Sequence, residues 1–363
     1  MSVQTSLPTA RAAGSKITLP YDCKILLRTL AIPLAVWVIV ALTVRFAIPY
    51  DSPSWQNFAT YADYVVRNGG TFMIFLFIYV LRKLPKTQGE SSIVTDLKGG
   101  YRAYSDHAWQ LPIMLLASAA SFMLFMFSYM SLKVRIEEVV PFKWDALFAQ
   151  WDKALFFGTD PWKVFAWVYD VPFLVPAIDF VYEAWAGLLV GSWIVCFVMH
   201  NIPLKRRIQF CLSMLIAWFF GGNILATVFS SVGPCYYEQL TGDPYFAEQI
   251  QRLANVKHLV VLETQNALWV SHIEKSNVGG ISAMPSMHCT TAFLFFLMFG
   301  RTRLSRLVTL SFFALIWVSS VILAWHYAID GLLAIPVAIS SWMAAGWISR
   351  RVTAKHETTG AAV

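Results

Sequence analysis

Long apolar runs separated by short polar stretches dominate the chain. A helix crossing a bilayer needs about 20 predominantly apolar residues. Runs close to that length lie at about 27–49, 69–82, 109–131, 174–199, 208–231, 284–300, 304–325 and 328–348. They predict eight transmembrane helices, of which the second and sixth are the shortest. The first run is too long, and too far from the start, for a cleaved signal peptide, and no small-residue cleavage site follows it. It reads as a retained helix. One polar interval has a pattern of its own: within 133–173, "WDALFAQWDKALFFGTDPW" places apolar residues at helical spacing among many aromatics. This predicts a helix lying in the membrane interface, either capping the outer face or touching substrate.

Composition agrees with that pattern. Apolar residues make up 57% of the chain, aromatics 15% and charged residues 13%, and the mean hydropathy is positive. A soluble globular domain is excluded. The expected fold class is all-α, a polytopic membrane protein. Residues 1–20 read as a disordered cytoplasmic tail, 21–108 as an N-terminal helix pair with a cytoplasmic loop, 109–350 as a six-helix core, and 351–363 as a second cytoplasmic tail. No internal repeat is evident.

The basic residues orient the chain, since short cytoplasmic loops carry an excess of Lys and Arg. Arg11, Lys16 and Lys24 precede the first span. Arg82, Lys83, Lys86, Lys98 and Arg102 separate the second from the third, and Lys205, Arg206 and Arg207 the fourth from the fifth. Arg301, Arg303 and Arg306 follow the sixth, and Arg350, Arg351 and Lys355 the eighth. Every second connection is basic, which predicts cytoplasmic termini and puts 50–68, 133–173, 232–283 and the turn at 326–328 on the outer side. The net charge of +7 follows mostly from this bias and calls for no nucleic-acid partner. The five cysteines show no metal-ligand spacing; Cys235 and Cys289 share the outer side, and a disulfide between them is one option.

Candidate chemistry sits at the outer ends of the sixth and seventh spans. "AMPSMHCTTAFLF" opens the sixth with Pro285, Ser286 and His288. Pro in a first turn and a capping Ser are ordinary helix starts. With Gly279 and Gly280 just before, the same helix start also suits an anion such as phosphate. "SSVILAWHYAIDG", residues 319–331, closes the seventh span. An antiparallel pair brings His288 and His326 to one membrane surface. His326 and Asp330, four apart, share a face if helical, so the carboxylate can orient the ring. Ionisable groups at this depth are functional candidates by default. Two histidines and a carboxylate suit in-line phosphoryl transfer, one histidine attacking and the other protonating the leaving oxygen, with Ser286 and helix-start amides stabilising phosphoryl charge.

At these residues the sequence resembles the type 2 phosphatidic acid phosphatase superfamily, whose second motif is Pro-Ser-x-His and whose third ends in His-x3-Asp. "PSMH" at 285–288 and "HYAID" at 326–330 match in order and spacing. The resemblance implies that His326 forms a phosphohistidine, that His288 is the general acid and that Asp330 orients the nucleophile. It covers the spans from about residue 109 onward. The first motif, Lys-x6-Arg-Pro, is absent, and the third opens Ser319-Ser320 where the family has Ser-Arg. Phosphate-gripping cations are therefore missing. In that respect, and in "SSVGPCYYEQL", "GGISAMPSMH" and "HYAID", the chain looks more like the inositol phosphorylceramide synthase branch; "WDKALFFGTDP" is also similar to a segment of that branch.

That likeness implies transfer of a phosphorylated head group between membrane lipids as donor and acceptor; a lipid-phosphate phosphatase using water is the alternative. Candidate phosphate-binding residues are Ser286, Gly280, Lys275 and Tyr236. Lys275, Arg252 and Lys257 are either substitutes for a lost cation or solvated loop charges, and Tyr236 and Tyr237 either phosphate donors or interfacial anchors. Vanadium haloperoxidases share the motifs but need the missing Lys and Arg. A transporter with a relict site is disfavoured, because no broken-helix pair or charged pore line is present. No metal or cofactor is expected, since neither histidine lies in a carboxylate-rich cluster.

Overall fold

Backbone inside a bilayer has to satisfy its own hydrogen bonds, and this chain does so with helices. The computed structural model describes residues 19–50, 110–199, 201–277 and 279–360, and among these there is no β-strand. The principal helices are α1 (Tyr21–Ala47), α2 (Leu111–Lys133), α3 (Asp145–Leu155), α4 (Leu174–Val198), α5 (Leu204–Phe219), α6 (Ala247–Ala254), α7 (Val260–Ile273), α8 (Met287–Phe299), α9 (Arg303–Ile322) and α10 (Ala328–Gly360). A π-helical turn, Phe220–Leu225, carries α5 on to Val228. Among the described residues six helices are long and apolar enough to cross a membrane: α1, α2, α4, α5 with its extension, α9 and α10.

Seven of the eight predicted spans therefore appear as helices, and the eighth, 69–82, lies outside the described residues. The sixth is shorter than expected. Its helix starts only at Met287, behind the Ser286 cap, and stops at Gly300 after 13 residues. The last is longer than expected and runs through Gly360 into residues read as a tail. Beyond 348 the chain offers no proline or glycine until Gly360, so nothing in the backbone stops the helix earlier.

Helices α2, α4, α5, α8, α9 and α10 form the core, with α8 packed on both α9 and α10, and α10 on α5. Helix α1 is not a detached addition. It packs against α2 and α5 and buries Leu26, Leu30, Leu34 and Trp37. Arg207, read from sequence as a loop charge, is fully buried at the start of α5, where it pairs with Asp22 of α1 and donates to the Cys196 and Ile202 carbonyls. All five cysteines are free, so the Cys235–Cys289 disulfide does not form.

An outer layer of α3, α6 and α7 covers one end of this core and serves the backbone there. A helix leaves its first N–H and last C=O groups without partners. At the end of α9 the Val321 carbonyl accepts from Gln249 of α6 (2.7 Å), Ile322 from Tyr169 (2.6 Å) and Leu323 from Gln265 of α7 (2.9 Å). Helix α7 is itself capped by the Asp179 carboxylate of α4, which accepts from Val260 and Val261. The amphipathic reading of α3 holds: Asp145, Phe148, Ala149 and Asp152, at spacing i, i+3, i+4, i+7, form its buried face. Trp151, Leu155, Phe157 and Trp167 remain exposed on this outer segment, as suits aromatics at a membrane interface.

Candidate active site

Helix α9 ends at Ile322 and α10 begins at Ala328, so the chain reverses over a short turn. Ala324 takes a left-handed conformation there (φ 59°), and the Trp325 and His326 amides both donate to the Ser320 carbonyl, at 3.0 and 3.2 Å. This places His326 just before the first turn of α10. Asp330, fully buried in that turn, accepts from the Tyr327 amide (3.0 Å) and lies 3.2 Å from His326 Nδ1. The expected His–Asp pair is present. With Asp330 accepting from Nδ1–H, the Nε2 lone pair is left for a reacting atom. Burial, then the charge of Lys133, holds the pKa of the His326 ring below its ordinary value, which favours the neutral imidazole.

The other motif is tied to this one through the backbone. Ser286 caps α8 by accepting from the Cys289 amide (3.3 Å), and its own amide donates to the Asp330 carbonyl (3.2 Å). The His288 ring then lies 6.0 Å from the His326 ring, centroid to centroid, at 63°. Tyr182 and Trp185 of α4 pack on His288 with centroids 4.5 and 4.1 Å away and fix its plane. A phosphorus atom between the rings would meet one imidazole on each side.

Both imidazoles line a cavity of about 310 Å³. It runs down between α2, α4 and α5 to Met126 and Leu189. Met126 lies seven residues before Lys133 on α2, so the cavity reaches roughly 10 Å into the bundle at 1.5 Å per residue. Its deep walls are apolar and aromatic, whereas His288, His326, Lys133 and Glu183 stand among its polar groups. The π-helical turn of α5 adds Gly222 to the wall, where a Cβ would lie 2.7 Å from the Tyr129 ring. A widened helical turn of this kind is common at functional sites.

Helix α3 fastens the turn between α9 and α10. Asp152 accepts from the first two amides of α10, Ala328 (2.6 Å) and Ile329 (2.8 Å). Asp145 accepts from the Val232 and Gly233 amides and from the Tyr327 hydroxyl (2.9 Å), joining three segments. Burial pushes Asp152 up from 3.8 to about 7 against the two amides, which favour its ionised form. Asp145 is likewise raised by burial and drawn back by its donors.

The other residues singled out from the sequence have separate fates. Ser286 and Gly280 stay at the site, Ser286 as a cap and Gly280 in the cavity wall. Tyr236 also lines the cavity, but its hydroxyl donates to the Gln265 carbonyl (2.8 Å). Lys275 stands apart from the cavity, exposed and paired with Glu138. Arg252 pairs with Glu248 and Asp170, and with Lys257 it borders a separate surface groove. Ser320, where the family motif has Arg, is fully buried and donates to the Trp317 carbonyl.

Lys133, Asp145 and Asp152 were missed as site residues. Each had a signal: Lys133 is the one charge in α2 and stands at the end that the positive-inside pattern leaves bare, and the two aspartates sit seven apart on the apolar face of α3.

Comparison with known proteins returns one family. No curated protein and no solved structure gives a significant match. The PAP2 superfamily model matches residues 146–344, more than half of the 363-residue chain, from α3 through most of α10 and across both histidine motifs. On that match, and with the paired histidines and buried aspartate in place, the chain belongs to the PAP2 superfamily.

Proposed function

We propose that this protein is an integral membrane lipid phosphotransferase that moves a phosphorylated head group between lipids through a phosphohistidine on His326. The observation that carries this reading is the convergence of His326, oriented by Asp330, and His288 at the mouth of a cavity whose deep walls are apolar. His326 Nε2 attacks the phosphorus of the donor lipid, the bond to the donor oxygen breaks, and His288 in its protonated form gives that oxygen its proton. In the second half the acceptor hydroxyl attacks the phosphohistidine, passes its proton to His288, and the P–N bond breaks. Membrane lipids serve as donor and acceptor, and the apolar extension of the cavity suits their chains.

The absent family cations favour a phosphodiester donor, which carries one negative charge where a phosphomonoester carries up to two. This is the character expected of the inositol phosphorylceramide synthase-like branch. The site faces the extracytoplasmic side in this reading, because Lys205, Arg206, Arg301, Arg303, Arg350 and Arg351 gather at the opposite ends of the spans.

The test is a product assay on purified protein with a labelled lipid phosphomonoester and a labelled phosphodiester lipid, each with and without ceramide or diacylglycerol. A new head-group lipid that forms only with the alcohol is the expected result. Free phosphate released from the monoester regardless of alcohol would replace the transferase by a lipid-phosphate phosphatase, which shares every step up to attack on the phosphohistidine.

A further inference from the structure

We propose that Lys133 is the phosphate-gripping cation of this site, supplied from α2 in place of the charges missing from the family motifs. The inference rests on the phosphotransfer reading of the cavity and adds to it the residue that holds the transferred group.

Two basic residues stand at the end of α2 nearest the histidines, and the structure uses them differently. Arg135 is fully buried and spent on structure: it donates to the Ile48 carbonyl (2.7 Å), the Ser131 carbonyl (2.9 Å) and the Asn277 side chain (2.6 Å). Lys133 has no such set. Among the described residues no carboxylate lies within ion-pair range of its ammonium, whereas Lys275, Lys163, Arg207 and Arg252 all have one. The nitrogen sits 5.8 Å from the centre of the Tyr129 ring, one turn below, a contact that steers a cation without neutralising it.

Lys133 lines the same cavity as His288 and His326, and its charge acts on the His326 ring. An ammonium with no carboxylate partner, in a cavity shared with two imidazoles, is unfavourable in the empty protein and favourable once a phosphoryl group enters. A glycine makes this placement feasible. Gly280 holds φ +95°, and a Cβ there would come within 3.0 Å of the Val134 backbone. Glycine therefore lets the segment before α8 lie directly on the Lys133–Val134 backbone, beside the part of the cavity wall that carries Lys133. Helix α2 precedes the stretch matched to the family, so the replacement comes from outside that stretch.

The experiment uses the full chain in detergent and reads inorganic phosphate binding by intrinsic fluorescence, since Trp185, Trp218 and Trp325 line the cavity. Losing one charge-assisted hydrogen bond corresponds to a fall in affinity of about 10- to 100-fold. Lys133→Met is expected to weaken phosphate binding by that factor and Lys133→Arg to retain it within about fivefold, with melting temperatures close to wild type. Lys133→Gln replaces the methionine variant if that one does not fold. Equal phosphate affinity in wild type and the neutral variant, or no phosphate response in wild type, would overturn the assignment. The same proteins are tested for phosphohistidine formation with labelled lipid. A wild type that forms no phosphohistidine but loses phosphate affinity on Lys133→Met would sink the phosphotransfer reading and leave Lys133 as an anion site.

Discussion

Asp152 offers the sharpest test of how the reacting turn is held. Its carboxylate, itself buried, accepts from the first two amides of α10 at 2.6 and 2.8 Å, and those amides lie between His326 and Asp330 in the chain. Asp152→Ala leaves both donors without a partner in a buried place, at about 1–3 kcal/mol each, so a loss of roughly 2–6 kcal/mol of stability is expected. Because His326 and Asp330 lie on either side of the released amides, kcat should fall about 100-fold with little change in KM, as misplacement of a nucleophile predicts. Asp152→Asn keeps one acceptor oxygen and should fall between.

The pH dependence follows from burial. The folded protein holds the Asp152 proton more tightly than the unfolded chain, since its value rises from 3.8 to about 7. The carboxyl therefore contributes stability that is fully present below about pH 4 and is lost as pH rises through about 7. Relative to wild type, the penalty of Asp152→Asn should be largest at the acid end of the range, shrink as pH rises toward about 7 and level off above it. The assay is a melting temperature in detergent across pH 5–8, with kcat measured on the same preparations. An Asp152→Ala protein with wild-type melting temperature and wild-type kcat would refute the idea that α3 fastens the turn.

His326→Ala should abolish turnover and phosphohistidine formation while leaving a folded protein in detergent; substantial residual activity would remove it as nucleophile. His288→Ala should slow departure of the leaving group, so a substrate with an already acidic leaving group should be partly rescued, and equal loss on both substrate classes would refute the general-acid role. Gly280→Ala forces a side chain into a left-handed position and against the Val134 backbone. It should lose more than about 1 kcal/mol of stability and weaken phosphate affinity together, both read by melting and fluorescence titration.

The spans were legible because each is written locally: an apolar run of sufficient length folds as a helix in a bilayer whatever its neighbours. His326 and Asp330 were legible for the same reason, being four residues apart on one chain segment, and His288 joined them because alternating spans bring the start of one to the end of the next. The amphipathic face of α3 was visible at helical spacing, although the purpose of its two aspartates was not. By contrast, the expected span at 284–300 was longer than α8, because Ser286 is the cap and the helix itself begins only at Met287 and ends before Gly300.

What the sequence alone determined, then, is the helical membrane architecture and the histidine–aspartate constellation, both set by periodicity and by the order of the spans. Only the tertiary structure decided which charges belong to the site. Lys275 is close in sequence to the Pro-Ser-x-His motif yet pairs with Glu138 at the surface, whereas Lys133, more than 150 residues before His288, lines the cavity. Likewise Asp145 and Asp152 reach the turn at 327–329 across some 180 residues of chain. Such contacts depend on helix crossings and on glycine-sized gaps between backbones, and these are properties of the packed bundle that no local spacing encodes.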